Sequence, residues 1–154
     1  MEEFYEYFYE LFTWVTDSSA TPSDTDIFDR LSDEGMNMYF ISYARYLTSG
    51  YMASHREEFE PFLQDGRTVD EFRRQEIEPP TKECEQLQIV ALTSVFGVGV
   101  KIVYLDQNQS TSNSHTGEAS VEQEIRTYTF PDGVEPKVHV LYRPGHYDLL
   151  NMKD

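Results

Sequence analysis

The chain has 154 residues, enough for one ordinary domain, and its 39% hydrophobic and 14% aromatic content can build a packed core, which excludes global disorder. Twelve basic residues against 28 acidic ones leave a net charge of −16, which disfavours nucleic acid and anionic membranes as partners and suits basic protein surfaces. The one cysteine, Cys84, excludes an intramolecular disulfide, no apolar run approaches the ~18 residues of a membrane span, and the acidic start lacks a signal peptide's layout, so a cytosolic or nuclear setting is expected.

Residues 2–17 predict an amphipathic helix. Phe4, Phe8, Leu11, Phe12 and Val15 fall on one stripe, and Glu2, Glu3, Glu6 and Glu10 lie largely off it. A small-residue linker over 18–22 leads into a short helix capped by Ser23 or Thr25, with Ile27, Phe28 and Leu31 inward. Gly35 breaks that pattern. Residues 37–54 then carry the longest helical signal. Met38, Tyr39, Phe40, Ile41, Tyr43, Ala44, Tyr46, Leu47 and Tyr51 are apolar nearly all round, which predicts a central, buried helix. Residues 55–63 add a further turn or two, closed by Pro61 and Asp65-Gly66. Thr68-Val-Asp-Glu71 reads as a capping box that opens a short helix with Phe72 inward, ending before Pro79-Pro80.

Residues 83–96 predict another helix, with Leu87, Val90, Ala91, Leu92, Val95 and Phe96 at helical spacing and Gly97 as its C-cap. Residues 98–105 are apolar and β-branched, a buried strand. A polar loop covers about 107–124. Residues 125–130 form a further strand, and Pro131-Asp-Gly133 turns the chain. Residues 137–143 and 146–150 close it as a hairpin about Pro144-Gly145. Helices in the N-terminal two-thirds and a small, mostly antiparallel sheet at the end make an α+β domain.

In a strand, side chains two apart point the same way, about 6.5–7 Å from each other. His146 and Asp148 therefore share a face. The carboxylate can accept a hydrogen bond from one imidazole nitrogen and leave the other free to take a proton, which is the base-plus-orienter half of a nucleophilic triad. Three residues alone do not separate such a pair from a chance one. Of the other histidines, His55 sits amid charges and is expected to be solvated, His115 lies in the polar loop, and His139 reads as structural. No two histidines, and no Cys/His pair, have metal-ligand spacing, so neither metal nor cofactor is expected. Cys84 lies near a predicted helix start, but Glu83 and Glu85 disfavour its thiolate, and it reads as an ordinary helix residue. Gly-x-Ser-x-Gly, phosphate loops and Gly-x-Gly-x-x-Gly are absent. The residues supply a base and an orienter without a nucleophile.

Several stretches together resemble the otubains, ovarian-tumour-type cysteine proteases (peptidase C65) that remove ubiquitin. They are Arg45-Tyr-Leu-Thr-Ser-Gly-Tyr51, Glu58-Phe-Glu-Pro-Phe62, Gly66-Arg-Thr-Val-Asp-Glu-Phe72, Gln75-Glu-Ile-Glu-Pro79, Ile89-Val-Ala-Leu92, Val100-Lys-Ile-Val-Tyr-Leu-Asp106 and Leu141-Tyr-Arg-Pro-Gly-His-Tyr-Asp-Leu149. They stand in family order across most of residues 1–150, and the last is the most specific. The resemblance implies a partial papain-like fold, one incomplete domain over 1–154, His146 as general base and Asp148 as its orienter. It implies ubiquitin or polyubiquitin as substrate, a ubiquitin-conjugating enzyme as a further partner, and attack by a thiolate through a thioester. The family's Asp-Gly-Asn-Cys nucleophile motif has no counterpart here, so the chain is expected to be inactive as it stands. Where the family has Glu-Ser-Asp-His-Ile, this chain has Glu83-Cys-Glu-Gln-Leu87, so the usual ubiquitin contact there is not expected to carry over. The alternative is a non-catalytic ubiquitin-binding module that regulates conjugation. Either way, an incomplete domain would leave apolar surface exposed.

Overall fold

The computed structural model describes residues 2–105 and 126–151. The chain divides into two compact units, Met1–Val95 and Phe96–Asp154. The polar loop, with His115, lies outside the described residues.

The first unit opens with α1 (Glu2–Thr16), α2 (Asp24–Ser32) and α3 (Glu34–Ser54). Ser23, not Thr25, caps α2: its hydroxyl accepts from Asp26 N, and the Asp26 carboxylate reaches back to Ser23 N at 3.0 Å. Gly35 does not break the helix. Asp33 caps α3, its Oδ1 accepting from Met36 N at 2.9 Å, and Gly35 sits within the first turn, where backbone N–H groups have no intrahelical partner in any case.

The expected stripes are realised only in part. Phe4, Phe8, Leu11 and Val15 of α1 are half-buried, while Phe12 is exposed. Phe28 and Leu31 of α2 are exposed rather than inward. The expectation that α3 is buried all round also fails, since Met38 and Ile41 are exposed and only Thr48, Ser49 and Met52 are fully buried. One face of its N-terminal half meets α1 through aromatic rings. Tyr7 stacks on Tyr39 at 4.3 Å, Phe8 meets Tyr43 at 4.8 Å, and Phe4 lies 5.4 Å from Tyr39. Large rings satisfy a hydrophobic count while leaving an edge in water, which is why composition alone overstated the burial.

The core of this unit forms around the C-terminal end of α3. Met52, Phe59, Val69, Phe72, Ile77 and Ala91 are buried together. They come from α3, α4 (Arg56–Phe59), α5 (Val69–Phe72), the π-helical segment Arg73–Ile77 and α6 (Gln86–Phe96). Two elements of four residues cannot hold themselves. The capping box supplies one support: Thr68 Oγ1 accepts from Glu71 N at 3.2 Å, and Glu71 Oε2 accepts from Thr68 N at 2.9 Å. Thr68→Ala should therefore cost about 1 kcal/mol, read as a lowered thermal midpoint; an unchanged midpoint would show that burial of Val69 and Phe72 carries α5 unaided.

A charged network supplies the other support. Arg73 donates from Nε to Ser49 Oγ at 2.7 Å and from Nη1 to Asp70 at 2.9 Å, and Ser49 Oγ donates to Glu78 at 2.6 Å. Arg45 of α3 donates to the carbonyls of Ile77 and Lys82. These bonds tie α3 to the segment that follows α5.

The second unit is a four-stranded sheet in the order β2-β1-β3-β4, with β1 at Gly99–Tyr104, β2 at Arg126–Phe130, β3 at Pro136–Arg143 and β4 at His146–Leu149. β1 pairs antiparallel with β2 and parallel with β3, and β3 pairs antiparallel with β4. Gly97, at φ +62°, takes the left-handed C-cap position expected of it after α6. Gly99 allows the close approach of β1 to β3, since a Cβ there would meet the Glu135 carbonyl oxygen at 2.5 Å. The register sets two faces. One carries Tyr128, Tyr104, Tyr142 and Tyr147, whose rings meet in sequence across all four strands at 5.3, 5.0 and 4.9 Å. The other carries Thr127 and Thr129, Lys101 and Val103, His139, Leu141 and Arg143, and His146 and Asp148.

Candidate active site

The hairpin places the chemistry. Pro144 and Gly145 form a two-residue connection between paired Arg143 and His146. Proline presets φ at the first turn position, and Gly145, at φ +77°, supplies the left-handed second position of a type II turn. Arg143 and His146 are therefore directly opposed, and Asp148 follows two residues along β4 on the same face.

His146 Nε2 lies 3.1 Å from Asp148 Oδ1. Arg143 Nη2 donates to the other oxygen, Asp148 Oδ2, at 2.6 Å. The hydrogen bond from Arg143 is the largest cause holding the Asp148 carboxyl below the usual carboxylate range; burial opposes it, and the bond from His146 adds to it. An ionised carboxylate only accepts hydrogen bonds. Nε2 is thus the donor, and in the neutral ring Nδ1 keeps its lone pair. That is a base with one nitrogen held and one available. The side chains of His146 and Asp148 are 60% and 41% exposed, so the pair does little for the fold.

The other predicted residues fall elsewhere. Cys84 belongs to the first unit and precedes α6 instead of lying within it. Its thiol is pushed up, first by burial, with Arg45 opposing and Glu85 adding. The acidic neighbours were the expected cause; desolvation is the larger one. His55 is half-buried rather than fully solvated. It caps the C-terminus of α3, stacks on Tyr51 at 4.0 Å and donates from Nδ1 to the Tyr51 carbonyl at 2.9 Å. His139 is half-buried in β3 opposite Lys101, and its carbonyl accepts from Leu150 N at 2.8 Å. Among the described residues, no three His, Cys, Asp or Glu side chains gather as metal ligands. Sequence reasoning missed Arg143. The signal was available: a two-residue turn puts the residue before it opposite the residue after it.

The family model for Peptidase C65 Otubain matches residues 1–152. Human ubiquitin thioesterase OTUB1 is 36% identical over 151 residues, covering 97% of this chain and 50% of that protein. The ubiquitin thioesterase otubain-like protein of Caenorhabditis elegans is 31% identical over 153 residues, covering 99% and 50%. A solved complex of ceOTUB1 with ubiquitin aldehyde and UBC13~Ub superposes with a TM-score of 0.80 at 29% identity, over 99% of this chain and 58% of that one. The chain thus spans about half the length of the relatives it matches. The α+β architecture is that of part of the ovarian-tumour protease fold, and by a family match over nearly its whole length the chain belongs to the otubains, peptidase family C65.

Proposed function

We propose that this chain is the base-bearing part of a ubiquitin thioesterase, with His146 as general base and Asp148 as its orienter, and that these 154 residues by themselves do not catalyse. The observation that carries the reading is the Asp148–His146 hydrogen bond, which commits Nε2 and leaves Nδ1 to accept a proton. In the reaction, Nδ1 takes the proton of a thiol as its sulfur attacks the isopeptide carbonyl joining the ubiquitin C-terminus to a lysine. It returns that proton to the departing amine, leaving a thioester that water hydrolyses. Asp148, ionised at neutral pH, stabilises the imidazolium in between. Inactivity of the isolated chain rests on the nucleophile: the Asp-Gly-Asn-Cys motif has no counterpart in these residues, and burial pushes the Cys84 thiol up, away from the thiolate. A base without a nucleophile has no covalent route. A reducing compartment, cytosolic or nuclear, suits thiol chemistry.

A second reading is a non-catalytic module that binds ubiquitin and regulates its conjugation. In its favour, the solved ceOTUB1 complex contains UBC13~Ub beside ubiquitin aldehyde, and the net charge of −16 suits basic protein faces.

One experiment weighs both. The chain is incubated with ubiquitin carrying a C-terminal electrophile and examined by intact-mass spectrometry, and free ubiquitin is titrated into it calorimetrically. No covalent adduct is expected. An adduct lost on both His146→Ala and Cys84→Ser would overturn the inactivity and make Cys84 the nucleophile. Binding without an adduct would support the second reading.

A further inference from the structure

We propose that Arg143 is the positioning residue for the base: it clamps one oxygen of Asp148 and thereby holds the other against His146 Nε2. The inference rests on the reading of His146 and Asp148 as base and orienter, and adds a third residue which that reading does not use.

The geometry is specific. Arg143 and His146 are the pair that closes the hairpin, and both Asp148 oxygens are engaged, Oδ2 by Arg143 Nη2 at 2.6 Å and Oδ1 by His146 Nε2 at 3.1 Å. The shorter bond is to the guanidinium. Asp148 is 41% exposed in its side chain, so packing alone does not fix its carboxylate. An aspartate has two rotatable side-chain bonds. Without a second anchor it would exchange His146 for water, and the imidazole would lose the bond that decides which nitrogen carries the proton. The guanidinium also balances charge. It holds the Asp148 carboxyl below the usual carboxylate range, and it moderates the negative field that a bare carboxylate would apply to the ring. The remaining ionisable groups on this sheet face are Lys101 of β1 and Lys137 and His139 of β3. Among the described residues, none of these three makes an ion pair or hydrogen bond to Asp148, and Lys137 lies 3.9 Å from Glu135. Arg143 is thus the cation that holds the orienter.

The test reads the ring directly. With the imidazoles neutral, the 154-residue chain labelled with ¹⁵N should show His146 with a protonated, exchange-protected Nε2 and an unprotonated Nδ1, assigned through His146→Gln. Arg143→Met keeps the aliphatic stem and removes the guanidinium. It should abolish the protection of the Nε2 proton and let the two nitrogen shifts move toward their solvent-averaged values. Arg143→Lys, which keeps a cation within reach of Oδ2, should retain the protected proton. Asp148→Ala should lose it. All three side chains are exposed, and an unchanged sheet amide spectrum verifies that each variant folds. Protection that survives Arg143→Met, or is lost equally in Arg143→Lys, overturns the clamp. Protection that survives Asp148→Ala overturns the base–orienter pair itself, so the two failures are distinguishable.

Discussion

Replacing Phe72 by alanine is expected to destabilise the first unit by about 3–5 kcal/mol. Phe72 is 5% exposed and closes α5, a helix of only four residues. Its ring shares the core with Met52, Phe59, Val69, Ile77 and Ala91, drawn from four other elements besides its own. Removing it takes away a large transfer free energy and leaves a cavity among the side chains that share the core. The Arg67 guanidinium, 5.4 Å from the ring centroid, would lose the aromatic face that it covers. Against a typical total of about 5–15 kcal/mol, such a loss takes the unit to the edge of unfolding. Urea titration followed by far-ultraviolet circular dichroism reads the effect as a fall in midpoint at constant slope. Phe72→Leu, which nearly conserves volume, should cost less than about 1.5 kcal/mol. Equal midpoints for the two variants would show that the core is not organised on this ring.

Local chemistry was legible in the sequence wherever one residue acts on its near neighbours. The Thr68–Glu71 capping box, the C-cap at Gly97 and the Pro144-Gly145 turn each follow from a side chain or a φ preference within a few residues. What could not be read depends on partners distant in the chain. The helical signal of α3 was correct, yet burial along it depends on what covers each side, and α1 covers only one face of its N-terminal half. His55 read as solvated because its neighbours in sequence are charged; the ring that shelters it, Tyr51, lies one helical turn back. Arg45 donates to two carbonyls more than thirty residues away, partners that no local pattern names. The parallel pairing of β1 with β3 was likewise invisible, since alternation marks a strand without naming its neighbour.

The site was half legible for the same reason. The two-residue period of a strand places His146 and Asp148 on one face, and the 3.1 Å contact agrees with it. Arg143 lies on the opposing strand, and only the register across the turn brings it to the second carboxylate oxygen. Cys84 was set aside on local charge, whereas burial is the larger cause that pushes its thiol up.

A chimera in which residues 1–154 replace the matching half of human OTUB1 is expected to hydrolyse ubiquitin chains, with His146→Ala lowering kcat/KM by about 10²–10⁴-fold. At 36% identity over that half, the fold and hairpin should carry over to the graft. An unassisted thiol, with a pKa of about 8.5, is only a few per cent thiolate at neutral pH. The attack therefore depends on a base that takes the proton on demand and later delivers it to the leaving amine. Asp148→Ala should cost less than His146→Ala, because it leaves the base present but free to turn and to change tautomer. Cys84→Ser should leave turnover unchanged, since the proposed reading places the nucleophile outside these 154 residues. Ubiquitin binding measured on each variant separates loss of chemistry from loss of assembly: the His146→Ala chimera should bind as the parent does and fail to turn over. A chimera that turns over equally well without His146 would remove the imidazole from the mechanism, and one that stops on Cys84→Ser would move the nucleophile into this chain.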